Sequence, residues 1–244
     1  MCRHLAYVGP PVSLQSLLVD PQDSLYQQSW APRRQRHGVV NVDGFGAGWY
    51  VDGRASPVRY RRAQPIWTDP SFASLAPTIA SSCVLAAVRS ATPGFANDES
   101  AAAPFTHDRW LFSHNGRVSD WPRTRKALWP RMAEAPDAQA AVDSALLFGL
   151  ALSRWQSGST LGAALAAVTR DVIDTGGGRL TMLAADGERV AGSVLGEPLY
   201  VRSDDGGVVV ASEPHDDSPD WQEVPDGTLV EAVRGEVTMT AMNT

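Results

Sequence analysis

The sequence predicts an α+β protein in which two largely antiparallel sheets carry helices on their outer faces. Apolar runs bounded by turn residues, which are typical of strands, dominate both ends of the 244-residue chain. Turn dipeptides such as Asp52-Gly53 and Asp186-Gly187 separate neighbouring runs at the short spacing of hairpins. Two long helical patterns lie between the strand-rich parts. This order favours strands that pair with their chain neighbours and helices that cover the sheets.

The first half of the chain is predicted to form five strands and two short helices. The strands cover residues 3–8, 46–51, 57–62, 83–89 and 109–113, and the helices cover residues 13–19 and 71–79. The glycine-rich stretch GFGAG at residues 44–48 leads into a strand. Because a phosphate-binding loop needs a helix N-terminus behind it, we interpret this stretch as a turn with close backbone packing.

The second half begins with two long helices and continues with three hairpins. The first helix is predicted at residues 138–155, started by Asp137, and the second at residues 161–173, capped by Ser159 or Thr160 and followed by glycines. The hairpin strands are predicted in pairs, at residues 180–184 with 189–195, 199–203 with 208–212, and 229–233 with 237–240. No repeat or low-complexity linker separates these elements, so we expect a single domain over residues 2–244.

Composition argues against several classes of partner. The formal net charge of -6 and the scattered positive residues do not favour a nucleic-acid or anionic-membrane surface. The longest uncharged apolar stretch, residues 145–152, is far shorter than the ~20 residues of a membrane span. Two cysteines cannot frame a disulfide-rich fold, and no cysteine-histidine spacing resembles a zinc site. We therefore expect a cytosolic protein that binds a small molecule without a metal or cofactor, in an oligomeric state that the sequence leaves open.

Cys2 is the candidate nucleophile. It directly follows Met1, and removal of Met1 would place a thiol and a free α-amine on one residue. The amine could then take the proton of the thiol without a separate histidine. A lone cysteine is weak evidence of a nucleophile, and a chance residue at an exposed terminus is the alternative. Cys83, by contrast, lies within an apolar strand pattern and is interpreted as a buried core thiol.

Three further segments supply the groups that hydrolysis of a γ-glutamyl amide requires. Arg89 could hold the α-carboxylate through two parallel hydrogen bonds, and Asp143 could accept from the α-ammonium. Asn115 offers a side-chain N–H, and Gly116 a closely approachable backbone N–H, where negative charge develops. The alternatives are a surface ion pair for Arg89, a helix-start charge for Asp143 and a type I′ turn for Asn115-Gly116. Their joint occurrence with Cys2 favours the site.

Together these segments resemble the class II glutamine amidotransferases, which are N-terminal nucleophile hydrolases with a four-layer αββα fold. The resemblance spans essentially the whole chain. Its motifs are the cysteine at the mature N-terminus, Arg89-x-x-Thr92, His114-Asn115-Gly116, the mid-chain Asp143 and the late Ser212-Glu213-Pro214. The resemblance implies the following site: catalytic Cys2, Asn115 and Gly116, and substrate-binding Arg89, Thr92, His114 and Asp143. One departure is Ala87, which stands where the familiar His-x-Arg pattern has its histidine.

Within the family, the beginning MCRHLAYVGP and the chain length resemble the stand-alone amidohydrolases of bacterial ergothioneine synthesis, which remove glutamate from γ-glutamyl-hercynylcysteine S-oxide. Because the resemblance to the glutaminase-like half takes up all 244 residues, we expect hydrolysis without ammonia transfer to a second domain. The alternatives are a glutaminase subunit that supplies ammonia to a separate synthetase and a non-catalytic γ-glutamyl binding module.

Two features concern access to the site and the leaving group. Residues 92–103 follow Arg89 and lack apolar periodicity, so they are predicted to form a mobile lid or else an ordinary solvent-exposed loop. Trp30 and Trp121 lie near the predicted site segments. They are candidates for binding a quaternary ammonium on the leaving group, with packing alone as the alternative.

Overall fold

The computed structural model describes residues 2–243, which form thirteen β-strands and six α-helices. The strands are β1 (Arg3–Ser13), β2 (Phe45–Trp49), β3 (Val58–Arg62), β4 (Ala80–Val88), β5 (Phe105–His107), β6 (Trp110–Val118), β7 (Gly178–Ala185), β8 (Val190–Ser193), β9 (Tyr200–Asp204), β10 (Gly207–Ala211), β11 (Gln222–Glu223), β12 (Thr228–Val233) and β13 (Glu236–Ala241). The helices are α1 (Leu14–Leu18), α2 (Leu25–Gln28), α3 (Pro70–Leu75), α4 (Trp121–Leu128), α5 (Asp143–Gln156) and α6 (Leu161–Thr175). Within residues 2–243, no helix combines the length and the apolar character needed to cross a membrane.

The strands pair into two antiparallel sheets, as the sequence predicts. The seven-stranded sheet has the order β11-β9-β10-β1-β4-β2-β3, and the six-stranded sheet has the order β13-β12-β8-β7-β6-β5. All four predicted hairpins are confirmed as the pairs β2 with β3, β7 with β8, β9 with β10, and β12 with β13. The central pairs β1 with β4 and β6 with β7 join segments that are far apart in the chain.

Apolar cores hold the described elements in four layers. Leu5 and Tyr7 of β1 pack in a core with side chains of α1, α2 and α3. Ala6 and Val8 point the other way, into the core that lies between the two sheets. A further core joins the opposite face of the six-stranded sheet to α5 and α6. Burial on both faces explains why the start of β1 reads as an apolar run without clear alternation.

The prediction of a helix over residues 138–155 was wrong at its start, since α5 begins at Asp143. Asp137 lies instead in a short 3-10 turn and is buried. Its carboxylate pairs with Arg59 and Arg61 of β3 and accepts a hydrogen bond from the backbone N–H of Thr106 at 2.8 Å. Burial of a carboxylate is costly unless it is paired or hydrogen-bonded. Here the partners come from β3 of the seven-stranded sheet. A local helix-start pattern does not reveal such distant partners.

The strand predicted at residues 109–113 continues further, as β6, to Val118. Within it Asn115 lies opposite Thr181, and Gly116 lies opposite Leu180 of β7. The type I′ turn that was the alternative for Asn115-Gly116 is therefore wrong. Local sequence favours a turn there, but pairing with β7 keeps the backbone extended. The stretch at residues 44–48 does enter a strand, as predicted.

Candidate active site

Six of the seven predicted site residues line one pocket, namely Cys2, Arg89, Thr92, His114, Gly116 and Asp143. The seventh, Asn115, lies beside Gly116 and bonds to Cys2. These residues come from the start of β1, the end of β4, the end of β6 and the start of α5, so the fold unites segments that are distant in the chain. Within residues 2–243, no cluster of three His, Cys, Asp or Glu side chains could hold a metal ion.

Asn115 connects the candidate nucleophile to the six-stranded sheet. The backbone nitrogen of Cys2 donates to Oδ1 of Asn115 at 3.2 Å. Ser113, which lies two residues earlier on the same face of β6, also connects the sheets, since its Oγ lies 3.1 Å from Nδ1 of His4 of β1. Asn115 is fully buried, and its Nδ2 has no hydrogen-bond partner among the described residues. A buried amide donor without a partner is energetically costly, so this group is suited to an acceptor atom of a ligand.

Gly116 occupies a position that requires glycine. Its φ of +149° is rarely adopted by other residues, and a Cβ there would lie 1.9 Å from the carbonyl oxygen of Arg179. The backbone of β6 can therefore approach β7 closely only with glycine at this point. The proximity of the Gly116 backbone to Cys2 in the pocket is compatible with the predicted oxyanion role, which stays a prediction.

Asp143 is the first residue of α5 and is buried. Its Oδ2 accepts from the backbone N–H of Val118 at 3.0 Å, and its Oδ1 accepts from that of Ser144 at 2.9 Å. The carboxylate thus ties the helix start to the end of β6, where the helix dipole also favours a negative charge. Each carboxylate oxygen can accept a further hydrogen bond, so Asp143 retains the capacity to bind an ammonium group.

Arg89 directly follows β4 and is 7% exposed, so the surface ion pair that was its alternative is wrong. Its Nη2 donates to the carbonyl of Ala96 at 2.6 Å, and its Nη1 donates to Oδ1 of Asn97 at 2.9 Å. A longer bond of 3.4 Å reaches the carbonyl of Asp43. These acceptors are all neutral oxygens. A buried guanidinium with neutral partners favours an anionic ligand, since its charge has no acidic partner in the described contacts.

His114 forms part of the pocket wall with both ring nitrogens occupied. Its Nε2 lies 3.1 Å from the carbonyl oxygen of Arg179, and its Nδ1 lies 3.0 Å from Oγ of Ser144. Because a carbonyl oxygen only accepts, Nε2 carries a proton, and the ring is held in one orientation. Thr92 also lines the pocket, at the start of the segment predicted to be a lid.

Sequence reasoning missed two charged or polar neighbours of the nucleophile, Arg3 and His4. Burial, together with the charges of Arg3 and then His114, keeps the pKa of His4 well below its usual range, so the imidazole is neutral at neutral pH. Arg3 is fully buried, and its Nε donates to the carbonyl of Cys2 at 2.9 Å. The sequence did contain a signal for them, because Arg3 and His4 are two polar residues at the start of a predicted strand, residues 3–8, that is otherwise mostly apolar.

The predicted lid and the two candidate tryptophans have different relations to the pocket. Phe95, from the segment 92–103, lines the pocket and packs edge-on against Trp121 with ring centroids 5.6 Å apart. Trp30 instead packs against Tyr26 and Trp67 and is absent from the pocket wall. Trp121 therefore contacts the pocket through Phe95. Trp30 belongs to a surface aromatic cluster. Closure of the segment stays a prediction.

Cys83 is confirmed as a buried core thiol. It is fully buried in the core between the sheets, and burial raises the pKa of its thiol to about 12. A thiol in this state is inert, because the thiolate is the reactive form. Cys2 is the more exposed of the two cysteines.

The chain is similar to several known proteins. A family model of class-II glutamine amidotransferases matches residues 18–202. The gamma-glutamyl-hercynylcysteine sulfoxide hydrolase of Mycolicibacterium smegmatis is 44% identical over 242 residues, which cover 99% of this chain and 100% of that protein. A protein of the same name from Mycobacterium tuberculosis is 42% identical over 247 residues, which cover 100% of this chain and 97% of that protein.

A solved structure shares the whole architecture. The glutamine aminotransferase class-II domain protein from Silicibacter pomeroyi superposes with a TM-score of 0.71 at 25% identity, and the match covers 100% of both chains. The four-layer fold implied by the sequence resemblance is confirmed by this likeness and by the observed sheet order.

We expect Gly116→Ala to lower the free energy of unfolding by roughly 3 kcal/mol or more, because backbone strain and the clash with Arg179 add together. Gly53→Ala is the matched control. Gly53 also has a positive φ, of +75°, but a Cβ there meets nothing within 4 Å, so the expected loss is ~1–2 kcal/mol from strain alone. Urea denaturation measures both. Equal losses in the two variants would contradict the close approach of β6 and β7.

Proposed function

Because the chain belongs to the class II glutamine amidotransferases, we propose that it is an N-terminal cysteine amidohydrolase acting on the γ-glutamyl amide of γ-glutamyl-hercynylcysteine S-oxide. The products are glutamate and hercynylcysteine S-oxide. The observation that carries the chemistry is the Asn115 amide, which bonds to the nitrogen of Cys2 and keeps a buried N–H without a partner. The substrate follows from the names of the two relatives, which match this chain over essentially their full lengths.

Cys2 acts as both nucleophile and base in this proposal. Met1 lies outside the described residues, and its removal converts the nitrogen that bonds to Asn115 into a free α-amine. A free α-amine is partly neutral near neutral pH, so it can take the proton of the thiol. No other base is required, and the lowered pKa of the nearby His4 makes its imidazole a weak base.

The reaction proceeds through a thioester. The thiolate adds to the γ-carbonyl carbon, and the oxyanion accepts hydrogen bonds from Nδ2 of Asn115 and the backbone N–H of Gly116. The ammonium of Cys2 then protonates the departing amine as the carbon–nitrogen bond breaks. Water attacks the glutamyl thioester, which releases glutamate and returns the thiol of Cys2.

Two opposite charges select the glutamyl group. Arg89 binds the α-carboxylate, and its buried guanidinium with neutral partners supports this role. Asp143 binds the α-ammonium with the accepting capacity that its backbone partners leave. His114 and Thr92 complete the wall around the glutamyl group. Phe95, backed by Trp121, offers an aromatic surface toward the cationic leaving group.

The decisive experiment compares three substrates on purified protein whose loss of Met1 is verified by mass spectrometry. We expect kcat/KM for γ-glutamyl-hercynylcysteine S-oxide to exceed that for glutamine and γ-glutamylcysteine by roughly 10²-fold, since remote contacts orient the scissile amide. Cys2→Ala should abolish turnover. Equally fast hydrolysis of glutamine would favour an ammonia-supplying subunit. Failure to trap any thioester on Cys2 would favour a binding module, and full activity with Met1 retained would exclude the amine as base.

Asn115→Ala should lower kcat by ~10²- to 10³-fold with little change in KM, because it removes one donor to the oxyanion. Asn41→Ala is the matched control, since Asn41 is equally buried but bonds to Gln28 and Gln35 outside the pocket. Steady-state kinetics of both variants are measured with the same substrate. A change confined to KM in Asn115→Ala would rule out the oxyanion role.

Arg89→Lys and Asp143→Asn should instead weaken substrate binding, because each leaves a charge of the glutamyl group poorly paired at a cost of roughly 2 to 5 kcal/mol. Calorimetric titration of glutamate into these variants, made in the Cys2→Ala background, measures the effect without turnover. Arg202→Lys is the control, because Arg202 pairs with Asp204 and Asp216 outside the pocket. Affinities like that of the control in both variants would show that the glutamyl group binds elsewhere.

A further inference from the structure

We propose that Arg3 is a positioning residue, which holds Cys2 in its attacking orientation through the Cys2 carbonyl, while Glu213 balances the buried charge of Arg3. The inference deepens the proposed function and rests on it. It concerns the residue next to the nucleophile and the late Ser212-Glu213-Pro214 motif, neither of which has a part in the chemistry described above.

Cys2 lies just outside the ladder of the seven-stranded sheet. The pairing of β1 with β4 begins at Arg3, which lies opposite Val88, so the sheet itself does not fix the preceding residue. Two side chains do so instead. The nitrogen of Cys2 donates to Asn115 at 3.2 Å, and its carbonyl accepts from Nε of Arg3 at 2.9 Å. Fixing the backbone on both sides of its Cα sets the direction of the Cα–Cβ bond that carries the thiol.

The guanidinium of Arg3 faces a carboxylate from the other end of the chain. Its Nη1 lies 4.0 Å from Oε2 of Glu213, which is an ion pair without a hydrogen bond, and both side chains are almost completely buried. Neither Nη1 nor Nη2 of Arg3 has a hydrogen-bond partner among the described residues. The carboxylate of Glu213 accepts from the backbone N–H groups of Arg33 and Arg34 at 3.0 and 2.8 Å. These two backbone donors keep the negative charge of Glu213 at a defined place opposite Arg3.

Ser212, which directly precedes Glu213, is hydrogen-bonded to β1. Its backbone N–H donates to the carbonyl of His4 at 2.9 Å, and its Oγ accepts from the backbone N–H of His4 at 3.0 Å. Ser212 and Glu213 therefore brace the two residues that follow Cys2. This arrangement gives a physical reason for a Ser-Glu pair so far along the chain from the other site residues.

The guanidinium of Arg3 lies close to acidic side chains. Burial lowers the pKa of Arg3, and charge interactions with Glu213 and then Glu197 oppose this shift. From the pocket side, the charged and titratable groups near Cys2 are Arg89, His114 and Asp143. Arg3 acts on Cys2 through the carbonyl that its Nε binds, and this contact is present without substrate.

The test uses Arg3→Lys and the double variant Arg3→Met, Glu213→Gln. The double variant removes both buried charges, so that no unpaired carboxylate remains to prevent folding. Circular dichroism and mass spectrometry establish that each variant is folded and lacks Met1. Two quantities are then measured: kcat and KM with γ-glutamyl-hercynylcysteine S-oxide, and the rate of Cys2 alkylation by iodoacetamide without substrate. The buried Cys83 serves as an unreactive internal reference.

We expect kcat to fall about 10-fold in Arg3→Lys, which keeps the charge but not the planar N–H geometry, and about 10²-fold in the double variant. KM should change by less than about 3-fold, because a positioning residue does not contact the substrate. Alkylation of Cys2 should be close to that of wild type in Arg3→Lys, which can still donate to the Cys2 carbonyl, and about 10-fold slower in the double variant, which cannot.

Arg154→Met is the control, since it removes an ion pair with Asp171 in the helical layer, and both readouts should stay at wild-type values. Wild-type kcat in the double variant, a loss confined to KM, or unchanged alkylation of Cys2 would each overturn the proposal. If wild-type protein hydrolyses none of the γ-glutamyl substrates, the proposed function fails. The alkylation rates then still decide whether Arg3 acts on Cys2.

Discussion

The hydrogen bond between the nitrogen of Cys2 and the side chain of Asn115 is the contact on which the rest of the site depends. Cys2 leads into a central strand of one sheet, and Asn115 lies on a strand of the other. The bond can form only if the two sheets stack with β1 facing β6. Its length is therefore set by the pairing registers of both sheets and by the core packed between them.

Charged side chains in this protein differ in their partners. Asp137, which is buried, and Asp171, which is half-buried, are each paired with two arginines, so their charges are neutralised within the fold. Arg89 and Asp143 are held only by neutral groups, so their charges are positioned but not neutralised. Opposite charges neutralise each other within the fold. A charge that has only neutral partners can still be paired by a charged group of a ligand. This contrast separates structural ionic residues from those of the site.

Local patterns in the sequence were sufficient for the hairpins, because tight turns such as Asp52-Gly53 are specified by neighbouring residues. The combination of Cys2, Arg89 and Asp143, together with the family resemblance, predicted residues that the structure brings to one pocket. The start of α5 was missed because Asp137 is held by arginines of a distant strand. Arg3 escaped notice for the same reason, since its partner Glu213 lies 210 positions later. Long-range ionic partners leave no periodic signal.

The strand order has a consequence for how the chain can be divided. All seven predicted site residues lie within the first 143 positions. Yet β1 is flanked by β10, and β6 is flanked by β7, both of which come from the last third of the sequence. An N-terminal fragment would therefore contain every predicted site residue but lack one neighbour of β1 and one of β6. The candidate residues are encoded early, whereas the two sheets that position them are completed only by strands from the end of the chain.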